Sequence, residues 1–279
     1  MKPLIGVQEL VGAIGSPDIF VFDATKYLPN ESKDGYSEFL ASHIPGSYYF
    51  DIDKIADQDT ELPHMVPSPG RFAKLLSAMG VSNASRVVFY DQKGLASAAR
   101  GWWLMRLFGH DRVSVLDGGL PKWRSEDLPV DCGAPSAPDS SAYRPDFRAK
   151  YLRGIGDMLE NLKTNTELVL DARAAGRFSG VITEPRAGIR SGHIPGAVNV
   201  PYTDLLCTDG TFQSPEKIRA RFAIAGVDGK RPVITSCGSG VSAAILTLGL
   251  CIAGLPYGAL YDGSWSEWGG RLDTPVEGE

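Results

Sequence analysis

His43-Ile44-Pro45-Gly46 returns as His193-Ile194-Pro195-Gly196, 150 residues further along the chain. Upstream of each copy lies an apolar run closed by Asp-Ala: Phe20-Val21-Phe22-Asp23-Ala24 in the first case, Leu168-Val169-Leu170-Asp171-Ala172, offset by 148, in the second. Two strand-to-helix junctions follow, Val87-Val88-Phe89-Tyr90-Asp91-Gln92-Lys93-Gly94 and Pro232-Val233-Ile234-Thr235-Ser236-Cys237-Gly238-Ser239-Gly240. Each half then closes on Asp-Gly and a tryptophan, Asp117-Gly118 with Trp123 and Asp262-Gly263 with Trp268. These last two pairs are offset by 146 and 145 residues, and such near-constant spacing marks a duplicated domain.

The halves divide into an N-terminal domain over 1–129, a linker over 130–147 and a C-terminal domain over 148–279. The linker is rich in proline, alanine and serine and carries no helical or strand period. Within each half, short apolar runs alternate with helical patterns such as Pro69 to Met79 and Pro215 to Ile224. That alternation predicts an α/β fold, each half a mainly parallel sheet with helices on both faces. In such sheets ligands bind beyond the carboxyl ends of the strands, and both Asp91 and Cys237 stand there.

The 279 residues are 43% hydrophobic and 22% charged, ordinary for a globular chain. With 28 basic and 33 acidic residues interspersed, there is no basic stripe for nucleic acid and no polybasic patch for lipid. The opening MKPLIGVQELVGAIG is interrupted by Gln8 and Glu9, so it reads as the first helix of a domain, neither a signal peptide nor a membrane span. Cys132, Cys207, Cys237 and Cys251 have no CxxC spacing, which suggests neither a disulfide framework nor a metal site. A cytoplasmic location and a monomer are expected.

Duplication serves as an internal control, because what both halves keep is needed by the fold and what one half alone has is free for chemistry. His43 and His193, Asp23 and Asp171, and the closing Asp-Gly-Trp segments occur twice and read as scaffold. Cys237 does not, since Asp91 takes its place in the first half. Its loop of Gly238, Ser239, Gly240, Val241 and Ser242 can turn backbone N–H groups inward as an anion cradle at a helix start. A thiolate set there faces those donors and the helix dipole, which favours a reactive thiol over an apolar filler. Cys132, Cys207 and Cys251 read as bland.

Arginine is absent from residues 1–70, whereas the corresponding part of the second half has Arg173, Arg177, Arg186 and Arg190. Arg177 and Arg186 flank a loop expected beside Cys237, and either hold a carboxylate or decorate the surface. Asp53 and His64 belong to the first half alone, and a His with a carboxylate nearby is either a proton relay or a surface pair.

Taken together these residues resemble the rhodanese superfamily, specifically the tandem-domain sulfurtransferases of the 3-mercaptopyruvate type. The resemblance runs from Phe20-Val21-Phe22-Asp23-Ala24 to Trp268-Gly269 and Pro275-Val276-Glu277. Its most telling part is Cys237-Gly238-Ser239-Gly240-Val241, similar to the C-G-S-G-V-T of mercaptopyruvate enzymes and unlike the C-R-K-G-V-T of thiosulfate-preferring ones. Ser242 replaces the usual threonine and keeps its hydroxyl; Gly176 stands where alanine is common. The resemblance implies that Arg177 and Arg186 hold the substrate carboxylate, that Asp53 and His64 join Ser239 in a triad, and that the Asp91 half is inactive.

The implied reaction is transfer of the sulfur of 3-mercaptopyruvate to Cys237 as a persulfide, with release of pyruvate. Ser239, backed by His64 and Asp53, polarises or protonates the departing group, and a thioredoxin-type protein, a small thiol or cyanide takes the outer sulfur. No metal or organic cofactor is implied. A thiosulfate sulfurtransferase is the nearest alternative and a non-enzymatic persulfide carrier a weaker one. A cysteine phosphatase would need Cys-x5-Arg, and Ala243 stands at the arginine position.

Overall fold

The computed structural model describes residues 1–278. Ten short strands form two sheets, β1 (Leu4–Ile5), β2 (Ile19–Asp23), β3 (Tyr48–Tyr49), β4 (Arg86–Tyr90) and β5 (Val113–Leu116) in the first, and β6 (Leu152–Arg153), β7 (Leu168–Asp171), β8 (Val198–Asn199), β9 (Val233–Ser236) and β10 (Ala259–Tyr261) in the second. The first is ordered β1-β5-β4-β2-β3 and the second β6-β10-β9-β7-β8, every pairing parallel. The one order is the other renumbered, as a duplicated α/β domain requires.

The helical patterns at 69 and 215 become the helices Pro69–Ala78 and Pro215–Ile224. Each has proline in its first turn, where no N–H is needed, and a serine, Ser68 or Ser214, whose hydroxyl accepts from a first-turn backbone N–H. The opening segment differs from its reading as a helix alone. Leu4–Ile5 is an edge strand beside β5, and the helix is only Val7–Val11. Two residues are too few to show a period, so the strand left no signal.

The helices Ala98–Leu107 and Ala243–Ile252 are buried almost all round, and each lies between its own sheet and the other domain. One apolar core therefore runs through both halves, from Phe22 and Phe89 through Trp102 and Trp103 to Ile245, Leu248 and Leu260. Two smaller clusters cover the outer sheet faces, one around Val21 and Trp123, the other around Val169 and Trp265. The linker lies along the first domain, with Asp131 bridged to His43, Ser141 bonded to Val81 and Asp146 to Phe108.

The repeated histidines match in detail. His43 Nδ1 lies 2.9 Å from Phe39 O, His193 Nδ1 2.9 Å from Phe178 O, and each ring stacks on that phenylalanine.

Candidate active site

Strand β9 ends at Ser236, so Cys237 is the first residue beyond a carboxyl end, next to β7, whose Asp171 pairs with Ser236. The thiol residue is 1% exposed and lies on the wall of a cavity of about 290 Å³ between the two domains. Gly238, Ser239, Val241 and Ser242 line it with Arg177 and Arg186, while His64 comes from the other domain. Asp53 and Gly240 do not line it; Asp53 reaches it through His64. A Cβ on Gly240 would meet Asp262 O at 3.0 Å and Arg100 Nη1 at 3.1 Å, and its φ of +76° turns the loop, so its contribution is the cradle's shape.

The loop is pinned from below by residues 264–266. Cys237 N–H donates to Ser264 Oγ at 3.2 Å, while Trp265 N–H and Ser266 N–H donate to the carbonyls of Cys237 and Gly238. Among the described residues, the backbone N–H groups of Gly238 to Ser242 have no protein acceptor. They are free to face an anion.

In the first half this arrangement is filled. The Asp91 carboxylate accepts from the N–H groups of Lys93 at 3.0 Å, Ala96 at 2.8 Å, and Ser97 and Ala98 at 2.9 Å.

A hydrogen-bonded chain crosses the domain interface to the loop. His64 Nδ1 lies 3.0 Å from Ser239 Oγ, and His64 Nε2 lies 3.1 Å from Asp53 Oδ1. The hydrogen bond with His64, reinforced by Lys26 on its other oxygen, holds the Asp53 carboxyl well below the usual range. Burial lowers the pKa of His64, with Arg186 and Arg100 adding to the effect against Asp53. A neutral imidazole beside an ionised carboxylate carries its proton on Nε2, which leaves Nδ1 to accept from the Ser239 hydroxyl.

The two arginines are not equivalent. Arg177 is committed to Glu184, its Nη2 2.5 Å from one carboxylate oxygen and its Nε 3.1 Å from the other. Glu184 also accepts from Arg173 Nη1 at 2.8 Å, and Arg173 is buried against Asp171. Arg186 has no hydrogen-bond or ion-pair partner among the described residues; burial lowers its pKa while nearby Cys237 acts against that. It offers a free fork to a carboxylate entering beside the thiol.

Reasoning from sequence missed Lys26, Arg100 and the part played by Glu184, and read Asp262 only as scaffold. Arg100 lies within a run of core residues and its carboxylate partner 162 positions away, so no local signal marked it. Glu184 stood in plain view beside Arg186, and a carboxylate seven residues from Arg177 was the available clue.

Three comparisons bear on this geometry. The rhodanese-like domain matches residues 7–126 and again 155–271. The chain is 43% identical to a 3-mercaptopyruvate sulfurtransferase of Rattus norvegicus, over 96% of this chain and 92% of that protein, and 40% identical to a thiosulfate sulfurtransferase of Bos taurus, over 92% and 86%. The crystal structure of SseA, a 3-mercaptopyruvate sulfotransferase from Escherichia coli, superposes with a TM-score of 0.86 at 37% identity, covering 95% of this chain and 99% of that one. A domain matched twice, with relatives spanning both copies, places the chain in the rhodanese-like family as a tandem-domain member.

Proposed function

We propose that the chain is a 3-mercaptopyruvate sulfurtransferase with Cys237 as its nucleophile. The observation that carries this reading is the seat of Cys237 between the free fork of Arg186 and the Ser239–His64–Asp53 chain. The substrate carboxylate binds Arg186, with Arg177 contributing its remaining N–H groups. The Cys237 thiolate then attacks the substrate sulfur, a sulfur–sulfur bond forms, and the carbon–sulfur bond breaks to leave the enolate of pyruvate.

The proton count closes without a cofactor. The thiol proton of the substrate is given up as the persulfide becomes an anion, and the enolate carbon takes a proton to become the methyl group of pyruvate. Ser239, backed by His64 and Asp53, is placed to relay that proton or to donate to the enolate oxygen. The free N–H groups of residues 238–242 hold the persulfide anion. An acceptor thiolate, from a thioredoxin-type protein or a small thiol, next attacks the outer sulfur and frees the Cys237 thiolate. A cytoplasmic, monomeric enzyme is part of the same proposal, as is an N-terminal half that binds no substrate at Asp91.

Thiosulfate is the second reading, supported by the likeness to the bovine enzyme. Against it, the loop has no cation to meet a second sulfonate-like charge. Comparing the two donors with cyanide as acceptor tests the choice: a large preference for 3-mercaptopyruvate is expected, and a large preference for thiosulfate overturns it.

A further inference from the structure

His64 has a left-handed backbone, φ +63°, a region that favours glycine. With the 146-residue offset of the Asp91 and Cys237 loops, its counterpart in the other half is a glycine, Gly210, at φ +80°. The N-terminal half therefore carries an imidazole where the Cys237 half has no side chain. Something must hold it there.

The surrounding contacts show what does. Arg100 is fully buried and crosses the interface, where its Nη2 donates to Asp262 Oδ1 at 2.8 Å and to the carbonyl of His64 at 2.5 Å, and its Nη1 donates to the carbonyl of Gly240 at 3.2 Å. The other oxygen of Asp262 accepts from Val66 N–H at 2.6 Å. One ion pair thus grips the chain at His64 and again two residues on, and grips the Ser239 loop as well.

The duplicate separates scaffold from addition. Asp117, the counterpart of Asp262, accepts from Phe212 N–H at 2.8 Å, and Phe212 corresponds to Val66. That aspartate-to-backbone bond is kept at both interfaces. Arg100 is not, because apolar Ile245 and Leu246 occupy the corresponding turn of the helix Ala243–Ile252. The arginine has been added, or retained, only where a histidine must meet a serine.

We infer that Arg100, paired with Asp262, is a positioning residue that presents His64 to Ser239 through the backbone without touching substrate. The inference rests on the sulfurtransferase reading for its effect on turnover, and on geometry alone for its effect on His64.

The test uses the full chain and Arg100→Lys, which keeps a cation for Asp262 but cannot also reach both carbonyls. We expect kcat with 3-mercaptopyruvate to fall on the order of 10- to 100-fold with KM little changed, the usual consequence of a misplaced group. In a His64→Ala background the same change should lower kcat less than about twofold, since its route is already lost. The His64 ring signals in nitrogen NMR should report one Nε2–H tautomer in the parent and a mixture in Arg100→Lys. An unchanged ring spectrum, or equal losses of kcat in both backgrounds, overturns the inference. A parent that takes up no sulfur while the ring signals still respond overturns the sulfurtransferase reading and leaves the positioning role standing.

Discussion

Asp91 and Cys237 follow equivalent strands, and the carboxylate of the first fills the cradle that the second leaves open. The same loop geometry is therefore a closed structural joint in one half and stands open in the other, where the proposed reaction puts a persulfide anion. Asp91→Ala should cost about 2–3 kcal/mol of stability, because buried N–H groups lose a charged acceptor. Thermal unfolding would show it, and sulfate should raise the melting temperature of this variant more than that of the parent. Sulfur uptake at Cys237 should survive. A variant as stable as the parent would contradict the account.

The unequal commitments of the two arginines predict unequal losses. Arg186→Gln should raise KM for 3-mercaptopyruvate about 10- to 100-fold, the equivalent of a charge-assisted hydrogen bond worth about 1.5–3 kcal/mol, with little change in melting temperature. Arg177→Gln leaves Glu184, whose side chain is 5% exposed, with Arg173 alone, so it should lower the melting temperature as well. Steady-state kinetics beside calorimetry separates the two. Identical behaviour of the variants would refute the distinction.

His64 supplies a pH dependence whose sign follows from its surroundings. Burial disfavours the imidazolium and takes the folded-state pKa below the ordinary 6.5, so the unfolded chain binds the proton more readily. The stability that His64 contributes is full above about pH 6.5 and is lost as pH falls through its folded value. The acid limb of kcat should likewise lie below about pH 6.5. An acid limb above that value, still present in His64→Ala, would assign it to another group.

Backbone strain at His64 predicts an order among variants that lose the same ring. His64→Gly should be more stable than His64→Ala by about 1 kcal/mol, since only glycine takes the left-handed region freely. Both should lose turnover alike. Equal stability would mean that the loop relaxes once the ring is gone.

Much of this was legible in the sequence because duplication prints the scaffold twice. The Asp-Ala strand ends, the two His-Ile-Pro-Gly turns and the helices from Pro69 and Pro215 were readable from landmarks and period, and the exceptional Cys237 stood out against Asp91. The two-residue edge strands Leu4–Ile5 and Leu152–Arg153 were not, because pairing with β5 and β10 creates them and no local pattern does. The grip of Arg100 on His64 and Gly240 was hidden for a related reason. Its partners lie 36 and 140 residues away, and in the sequence it is one of two arginines, with Arg106, in an otherwise apolar helix. Comparison of His64 with Gly210 needed no structure, only the offset already in hand.

The central claim is that Cys237 carries the transferred sulfur. Intact-mass measurement of the protein after 3-mercaptopyruvate is added without acceptor should show a gain of one sulfur atom, located on Cys237 by peptide mapping and removed by cyanide. Cys237→Ser should show no gain and release no pyruvate. Pyruvate release by Cys237→Ser at the parent rate, or sulfur found on Cys132, Cys207 or Cys251 instead, would contradict it.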